Sequence, residues 1–308
     1  MNYVYIKSGI QFVPERGVYL ENTKMTKIDP AIVKDVVTRA LEEDIGSGDI
    51  TTLALVPATE EVEAEITAKE DCVVAGLPVA EAVFEHLDVR VKFEARVQDG
   101  EKAAAGGMLA AVTGPAMAIL MGERTALNFL QHLSGIATLT RKFVDLTKDT
   151  GATILDTRKT MPGLRHMEKY AVSAGGGINH RMGLFDRVLI KDNHFRIQER
   201  YSADAIARAV ALAREKNQGA PVEVEAGSLE AVEAAVNAGA NCILLDNMTP
   251  DELREAVELI AGRAATEASG GITLDSVREV ALTGVQFISI GRLTHSARAI
   301  DISLKIVR

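Results

Sequence analysis

The chain has 308 residues, a formal net charge of -9 and 47% hydrophobic residues, which is typical of a globular protein with one large domain or two ordinary ones. No apolar run approaches the roughly 18 residues that cross a bilayer, and the acidic balance argues against nucleic acid as the main partner. Cys72 and Cys242 fit neither a metal-binding spacing nor a disulfide framework, and the first residues lack a signal-peptide core, so we expect a cytoplasmic protein without a membrane partner.

The first part of the chain predicts a mixed α/β domain. Residues 1–24 resemble neither half of the chain and form an extension to which we assign no role. Asp29 and Pro30 then predict the start of a helix, because Asp caps an amino end and Pro suits the first turn. The segment from Val89 to Val97 alternates apolar and polar residues, which predicts a half-buried strand. We therefore predict an N-terminal α/β domain with an antiparallel sheet over residues 25–133, followed by one or two long helices.

From residue 152 the pattern changes to short apolar strands separated by helical segments. The strand segments are "ATILDT", "RVLIKD", "VEVEA", "CILLD", "ATEASG" and "FISIG". This alternation predicts a parallel sheet covered by helices. The regular spacing of the strand ends predicts an α/β barrel over residues 134–293, and its short length predicts an incomplete, open barrel, because a full one takes roughly 250 residues. We expect residues 294–308 to pack back on the N-terminal domain.

Polar residues follow the predicted strands at the points where they end. They are Asp156-Thr157-Arg158-Lys159, Lys191-Asp192, Glu225, Asp246-Asn247, Ser269-Gly270-Gly271 and Gly291-Arg292. Because the carboxyl ends of barrel strands surround one site, these residues predict a rim of mixed charge. Its cations would hold carboxylates or phosphates, and its acids would bind a divalent metal or face a developing positive charge. The glycines would let backbone N–H groups approach a phosphate.

A locally basic segment supports the same interpretation. Residues 156–196 contain eight Lys or Arg residues against four Asp or Glu, in a chain that is acidic overall. Such a segment favours a small anionic ligand. There are two plainer alternatives. The segment could be a solvated basic face, or Lys191, Glu225 and Asp246 could pair with one another for structural reasons alone. The position of the cations at strand ends, beside glycines, favours the ligand site.

These residues also carry a family resemblance. The stretch "DTRKTMPGLRHMEKYAVSAGGGINHRMGLFDRVLIKDNH" resembles the signature of the quinolinate phosphoribosyltransferases. The segments "ALEEDIGSGDITT", "GERTALNFLQHLSGIAT", "VEVEAGSLEA", "ILLDNM", "EASGGI" and "ISIGRLTHSARAIDISLKI" are similar to that family as well, and in the same order. The resemblance covers the chain from about residue 30 to its end.

The resemblance implies a fold, a reaction and an assembly. The family has an N-terminal α/β domain and an open α/β barrel. It transfers a phosphoribosyl group from phosphoribosyl pyrophosphate to the ring nitrogen of quinolinate, with magnesium, and releases carbon dioxide and pyrophosphate to give nicotinate mononucleotide for NAD synthesis. It forms a homodimer with shared active sites, and the sequence leaves open whether the dimers assemble further.

The resemblance also implies roles for individual residues. The quinolinate pocket would consist of Thr157, Arg158, His180, Arg181 and Lys191, with Arg124 of the partner subunit. Phosphoribosyl pyrophosphate would bind Lys159, Lys191, Glu225, Asp246, Ser269, Gly271, Gly291 and His295. Lys159, Glu225 and Asp246 would be catalytic, and the two acids would ligate Mg²⁺ directly or through water.

Three residues depart from the family pattern, and three other functions compete. Met161 stands where a smaller polar residue is usual and flanks the cationic pair, whereas Ala174 and Gln286 replace a common Cys and Asp beside the motif. Lys191 at a barrel strand end could instead form a Schiff base, as in an aldolase. The chain could also be a paralogue of the type associated with molybdenum transport, which lacks the Lys-Asp-Asn-His run at 191–194, or an inactive nucleotide sensor.

Overall fold

The computed structural model describes residues 11–13, 18–20, 28–198, 204–217 and 219–308. Within these residues the strands are β1 (Gln11–Val13), β2 (Val18–Leu20), β3 (Glu61–Ala68), β4 (Cys72–Val73), β5 (Lys92–Ala95), β6 (Lys102–Ala103), β7 (Met108–Pro115), β8 (Thr153–Leu155), β9 (Val188–Ile190), β10 (Val222–Ala226), β11 (Cys242–Asp246), β12 (Ala265–Ser269), β13 (Phe287–Ser289) and β14 (Ile302–Ile306). The rest of the extension at residues 1–24 lies outside the described residues.

The helices in the same ranges are α1 (Pro30–Ile45), α2 (Ile50–Leu55), α3 (Leu77–Leu87), α4 (Ala116–Thr147), α5 (Arg165–Ala174), α6 (Asp192–Gln198), α7 (Ala205–Lys216), α8 (Leu229–Asn237), α9 (Pro250–Ile260), α10 (Val277–Ala281) and α11 (Arg292–His295). The predicted long helical region is one helix, α4, of 32 residues. None of the described helices is both long and apolar enough to cross a membrane.

The chain divides into two compact units. The barrel unit consists of residues 142–159 and 177–291 with the β1–β2 hairpin, and the N-terminal unit consists of the described residues within 25–141, 160–176 and 292–308. The units interleave along the chain, whereas the sequence analysis drew contiguous domains at 25–133 and 134–293.

The N-terminal unit is built on an antiparallel sheet with the strand order β14-β3-β7-β5. Helix α1 begins as predicted, because Oδ1 of Asp29 accepts the N–H of Ala31 at 2.8 Å. The predicted strand at 89–97 is wrong in its length. Strand β5 covers Lys92–Ala95 alone, and Val89 is 86% exposed. The reason is a turn at Asp88, whose carboxylate accepts the N–H of Arg90 and so delays the start of this edge strand.

The barrel unit contains a parallel sheet of six described strands in the order β8-β13-β12-β11-β10-β9. Among these strands β8 and β9 form the two edges, so the sheet is an open α/β barrel, as predicted. Helix α9 begins with a capping box, in which the side chains and backbone of Thr249 and Glu252 bond reciprocally.

The strand register arranges the inward side chains in layers. Successive side chains point to opposite faces of a strand, so Glu223 and Glu225 of β10 share one face. An apolar cluster lies among these side chains and contains Leu155, Cys242, Ala265, Phe287 and Ile178. Toward the carboxyl ends of the strands the same face carries charged and polar groups. A polar site can therefore form at that edge of the barrel.

Candidate active site

Two acids and a lysine meet at the carboxyl ends of the central strands. Lys191 follows β9, and its Nζ donates to Oε2 of Glu225 at 2.5 Å. Glu225 and Asp246 lie on the neighbouring strands β10 and β11; burial raises the pKa of Asp246, and repulsion by the carboxylate of Glu225 raises it further. A cation at this edge would relieve that repulsion.

A side-chain cap holds Lys191 in place. The N–H of Lys191 donates to Nδ1 of His194 at 2.8 Å, and the N–H of His194 donates back to the carbonyl of Lys191 at 2.8 Å. Lys191 is the residue before helix α6, so His194 serves as the third-residue partner of a reciprocal cap. The side chain of Lys191 is 48% exposed and can therefore reach a ligand at the rim.

The turn after β11 orients Asp246. Asn247 adopts a positive φ of 56°, donates from Nδ2 to Oδ2 of Asp246 at 2.7 Å, and donates its backbone N–H to the carbonyl of Ser269 at 2.8 Å. Gly270 has a φ of +102°, and a Cβ there would lie 2.2 Å from Oδ1 of Asn247. A glycine is therefore required at 270, whereas at Gly271 the space beside the backbone is open for a ligand.

The cationic side of the rim begins at the end of β8. Asp156 is fully buried and accepts from the N–H of His180 and from Nδ2 of Asn179, both at 2.8 Å. This ties the segment that carries Arg158 to the segment that carries Arg181. Burial lowers the pKa of Arg181, and the neighbouring charge of Arg158 lowers it further. Two arginines on segments joined in this way suit the binding of an anion.

Beneath the rim, His180 lies between two buried glutamates. Its Nε2 is 3.3 Å from Oε2 of Glu223 and 3.4 Å from Oε2 of Glu267. Burial raises the pKa of Glu223, but His180 and then Arg187 outweigh it and hold that pKa below its usual range.

Two influences on the His180 ring oppose each other. Burial lowers its pKa, whereas the carboxylates of Glu267 and Glu223 raise it to about 9. The N–H of Arg181, however, donates to Nδ1 at 2.7 Å, which requires an unprotonated Nδ1. We assign the neutral ring with its proton on Nε2, because that proton already serves the carboxylates and the backbone N–H cannot turn away.

The barrel unit thus brings together most of the residues that the sequence singled out. They are Thr157, Arg158, Lys159, His180, Arg181, Lys191, Glu225, Asp246, Ser269, Gly271 and Gly291. The other two belong to the N-terminal unit, where Arg124 is exposed on α4 and His295 is exposed at the end of α11 with Nδ1 2.6 Å from Oγ of Ser296.

Sequence reasoning missed several residues that support this site. Glu223, Glu267 and Arg187 were not singled out, and Asn247 was given no role of its own. A signal was present for Glu223, because a charge in the middle of the apolar run "VEVEA" needs a partner in a parallel sheet. The partner itself could not be read from the run.

Two of the departures from the family pattern, Met161 and Gln286, make local contacts of their own. Met161 has a 53% exposed side chain, and its N–H donates to Oε2 of Glu168 at 3.1 Å. Gln286 joins β12 to the start of β13, since its Oε1 accepts the N–H of Thr266 at 3.1 Å. The Schiff-base alternative is also disfavoured, because such a lysine needs apolar isolation and Lys191 is half exposed beside Glu225.

Comparison with known proteins decides the family. Profiles described as the N-terminal and C-terminal domains of quinolinate phosphoribosyl transferase match residues 49–134 and 136–305. The chain belongs to the quinolinate phosphoribosyltransferase family. The protein is an enzyme, and its function is decarboxylating phosphoribosyl transfer to quinolinate in NAD biosynthesis.

Individual relatives agree with this family over nearly their whole length. The chain is 46% identical over 294 residues to the chloroplastic nicotinate-nucleotide pyrophosphorylase (carboxylating) of Arabidopsis thaliana, covering 89% of this chain and 82% of that protein. It is 42% identical over 275 residues to a probable nicotinate-nucleotide pyrophosphorylase (carboxylating) of Bacillus subtilis, covering 89% and 93%. The solved nicotinate-nucleotide pyrophosphorylase of Francisella tularensis superposes with a TM-score of 0.86 at 38% identity, covering 92% and 99%.

Proposed function

We propose that the rim of the barrel unit binds quinolinate on its cationic side and phosphoribosyl pyrophosphate on its acidic side. The observation that carries this proposal is the junction at Asp156, whose buried carboxylate accepts the N–H of His180 at 2.8 Å and so ties the segment that carries Arg158 to the segment that carries Arg181. Quinolinate is a planar dianion, and guanidinium groups suit planar bidentate contacts. The pocket would consist of Thr157, Arg158, His180, Arg181 and Lys191, with Arg124 of the partner subunit.

The acidic side serves the donor. Lys159 and Lys191 would contact the pyrophosphate and ribose, and Glu225 and Asp246 would face the ribose carbon. The 5'-phosphate would lie on Ser269, Gly271, Gly291 and His295, where small side chains leave backbone N–H groups accessible. When the bond to pyrophosphate breaks, the ribose gains positive charge, which the two carboxylates stabilise.

The chemistry then needs no protein nucleophile. The ring nitrogen of quinolinate forms a bond to the ribose carbon as the bond from that carbon to pyrophosphate oxygen breaks. The resulting pyridinium accepts the electron pair of the carbon–carboxylate bond as carbon dioxide leaves, and the ring carbon takes up a proton. The residues of the chain position the two substrates and neutralise their charges.

Magnesium fits the acidic side. Glu225 and Asp246 offer carboxylate oxygens, the donors that Mg²⁺ prefers, at the carboxyl ends of the neighbouring strands β10 and β11. Bound there, directly or through water, Mg²⁺ would neutralise the departing pyrophosphate. Lys191 remains the cation that pairs with Glu225 in the absence of the metal.

We propose further that the enzyme is a cytoplasmic homodimer with shared sites, alone or in larger assemblies. Both cysteines are buried free thiols, which suits a reducing compartment. Arg124 is exposed and has no assigned role within its own unit, which suits a contribution to the site of a partner subunit. Mixing Arg124→Ala with Arg158→Ala protein under subunit exchange should restore part of the activity by forming one intact site. No recovery would exclude the shared site.

The first test of the function is a direct assay. Purified protein is supplied with phosphoribosyl pyrophosphate, Mg²⁺ and either quinolinate or nicotinate, and carbon dioxide and mononucleotide are measured. We expect turnover with quinolinate and none with nicotinate, which lacks the second carboxylate. Turnover of neither by a folded protein would favour the paralogue with another acceptor, and Met161 would be the first residue to exchange.

A further inference from the structure

Beneath the rim, His180, Glu223 and Glu267 form a buried cluster of ionisable side chains. Glu223 and Glu267 are 0% and 1% exposed, and His180 is 7% exposed. Among the described residues, Oε1 of Glu223 and both carboxylate oxygens of Glu267 lack a hydrogen-bond partner, so Glu267 acts on His180 through its charge at 3.4 Å. Burying a carboxylate without full compensation is costly, and the apolar residues that pair in register with these acids, Cys242 and Phe287, show that the barrel can fill this part of its interior with apolar side chains instead. The fold alone therefore does not require the two acids.

Both ring nitrogens of His180 are engaged by the protein. Nε2 faces the two carboxylates, and Nδ1 accepts the backbone N–H of Arg181 at 2.7 Å. His180 would therefore border the proposed pocket only through its ring carbons, and its influence on the substrate would pass through Arg181. Glu223 on β10 and Glu267 on β12 fix the orientation of the imidazole ring. The ring in turn fixes the position of the backbone from which the Arg181 guanidinium extends.

Glu223 also anchors the far end of the same loop. Nη1 of Arg187 donates to Oε2 of Glu223 at 3.3 Å, and Nη1 of Arg181 donates to the carbonyl of Arg187 at 3.4 Å. Between them, the carboxylate of Asp186 accepts the N–H groups of Met182 and Gly183 at 2.6 and 3.0 Å. One carboxylate thus holds both ends of the loop that carries Arg181.

The three ligand-type atoms lie close enough for a metal ion, within 4.8 Å of one another. The guanidinium of Arg187 on Glu223 already places a cation there, however, and nearby Arg181 and Arg158 add to the positive potential. A second cation at this point would be repelled. The cluster is better suited to hold a side chain than to hold an ion.

We propose that Glu223 and Glu267 are positioning residues for quinolinate: they clamp Nε2 of His180, so that Nδ1 fixes the backbone of Arg181 in the substrate pocket. This inference rests on the proposed quinolinate site. It assigns a role in substrate binding to two residues that never touch the substrate. It also explains why the barrel keeps charge in a layer that apolar residues could fill.

The test compares two substrates in isosteric variants. Glu267→Gln is the main variant, because Glu267 does not pair with Arg187 and its loss should leave the loop anchored. Glu223→Gln is the second variant, and Glu233→Gln on the exposed face of α8 is the matched control. We expect the KM for quinolinate to rise about tenfold or more in Glu267→Gln, while the KM for phosphoribosyl pyrophosphate stays within about twofold. The control should change neither.

A spectroscopic readout separates positioning from a general loss of structure. In wild-type protein labelled with ¹⁵N-histidine, the His180 signal, identified by its absence in His180→Gln, should report a neutral ring protonated on Nε2. In Glu267→Gln the proton should redistribute between the two nitrogens. A wild-type ring protonated on Nδ1, an equal rise in both KM values, or an unchanged quinolinate KM would each overturn the proposal. If the wild-type enzyme does not turn over quinolinate at all, the substrate assignment fails, whereas the ring measurement still reports on the clamp.

Discussion

Glu223 and Glu225 lie two residues apart on one face of strand β10, yet the barrel uses them in opposite ways. Glu223 is fully buried and contacts rigid neighbours, the imidazole of His180 and the guanidinium of Arg187. Glu225 is at the rim and pairs with Lys191, whose side chain is 48% exposed. This difference indicates that the buried Glu223 maintains the geometry of the site, whereas Glu225 at the rim can exchange Lys191 for a ligand. Four experiments test this difference.

The largest effect should come from removing the buried partner. Glu223→Ala leaves Arg187 buried without its carboxylate and empties part of the interior. We expect the free energy of unfolding in urea to fall by about 3–5 kcal/mol, the usual cost of breaking a buried pair. Glu233→Ala, an exposed change on α8, should alter it by less than about 0.5 kcal/mol. Equal urea midpoints for the two variants would mean that the buried layer does not hold the barrel.

Substitution of Glu225 at the rim should have the opposite effect, a large loss of activity with a small loss of stability. Glu225→Gln removes a carboxylate that we assign to the reacting ribose, but it breaks only a partly exposed ion pair. We expect kcat/KM to fall on the order of 10²–10³-fold, with a change in unfolding free energy below about 1 kcal/mol. Steady-state kinetics and urea unfolding on the same preparation measure both quantities. A large loss of stability with normal turnover would reverse the assignment of the two layers.

The turn that orients Asp246 should give an intermediate effect. Gly270→Ala introduces a Cβ 2.2 Å from Oδ1 of Asn247 at a φ of +102°. We expect a stability loss of about 1–3 kcal/mol from backbone strain, with a lower kcat because Asn247 and Asp246 are displaced. The control is Gly227→Ala, since the space around that position is open. If Gly270→Ala retains full activity, the orientation of Asp246 by Asn247 is not needed for turnover.

The smallest effect should come from an exposed pair outside both layers. Arg278 donates to both carboxylate oxygens of Asp149, at 2.9 and 3.0 Å, and holds the pKa of that carboxyl down at about 2. Because the folded pKa is lowered, the stabilisation is present above pH about 4 and is lost as the pH falls through about 2. Arg278→Gln should therefore be less stable than wild type at pH 6, with the gap closing toward pH 2. Thermal unfolding at both pH values measures this, and a constant gap would contradict it.

Much of the site could be predicted because its signals are local. Each apolar strand ends in a polar residue such as Lys191 or Asp246, and the rule that barrel sites lie at the carboxyl ends of strands then places them together. The helix start at Asp29 is equally local and was confirmed. The strand at 89–97 was wrong because apolar alternation does not reveal where an edge strand begins.

What the sequence by itself determined is therefore the kind of residue at each strand end, the alternation of strands and helices, and the family signature. Only the tertiary structure decided that Glu223 and Glu267, on strands that are not neighbours, meet at one imidazole, and that β14 pairs with β3. The physical reason is that a strand's own pattern specifies which side chains share a face, whereas the register between distant strands depends on how the intervening helices pack. That register determines how deeply a charged side chain is buried. Its burial in turn determines whether the side chain contacts a ligand, as proposed for Glu225, or holds another side chain in position, as proposed for Glu223.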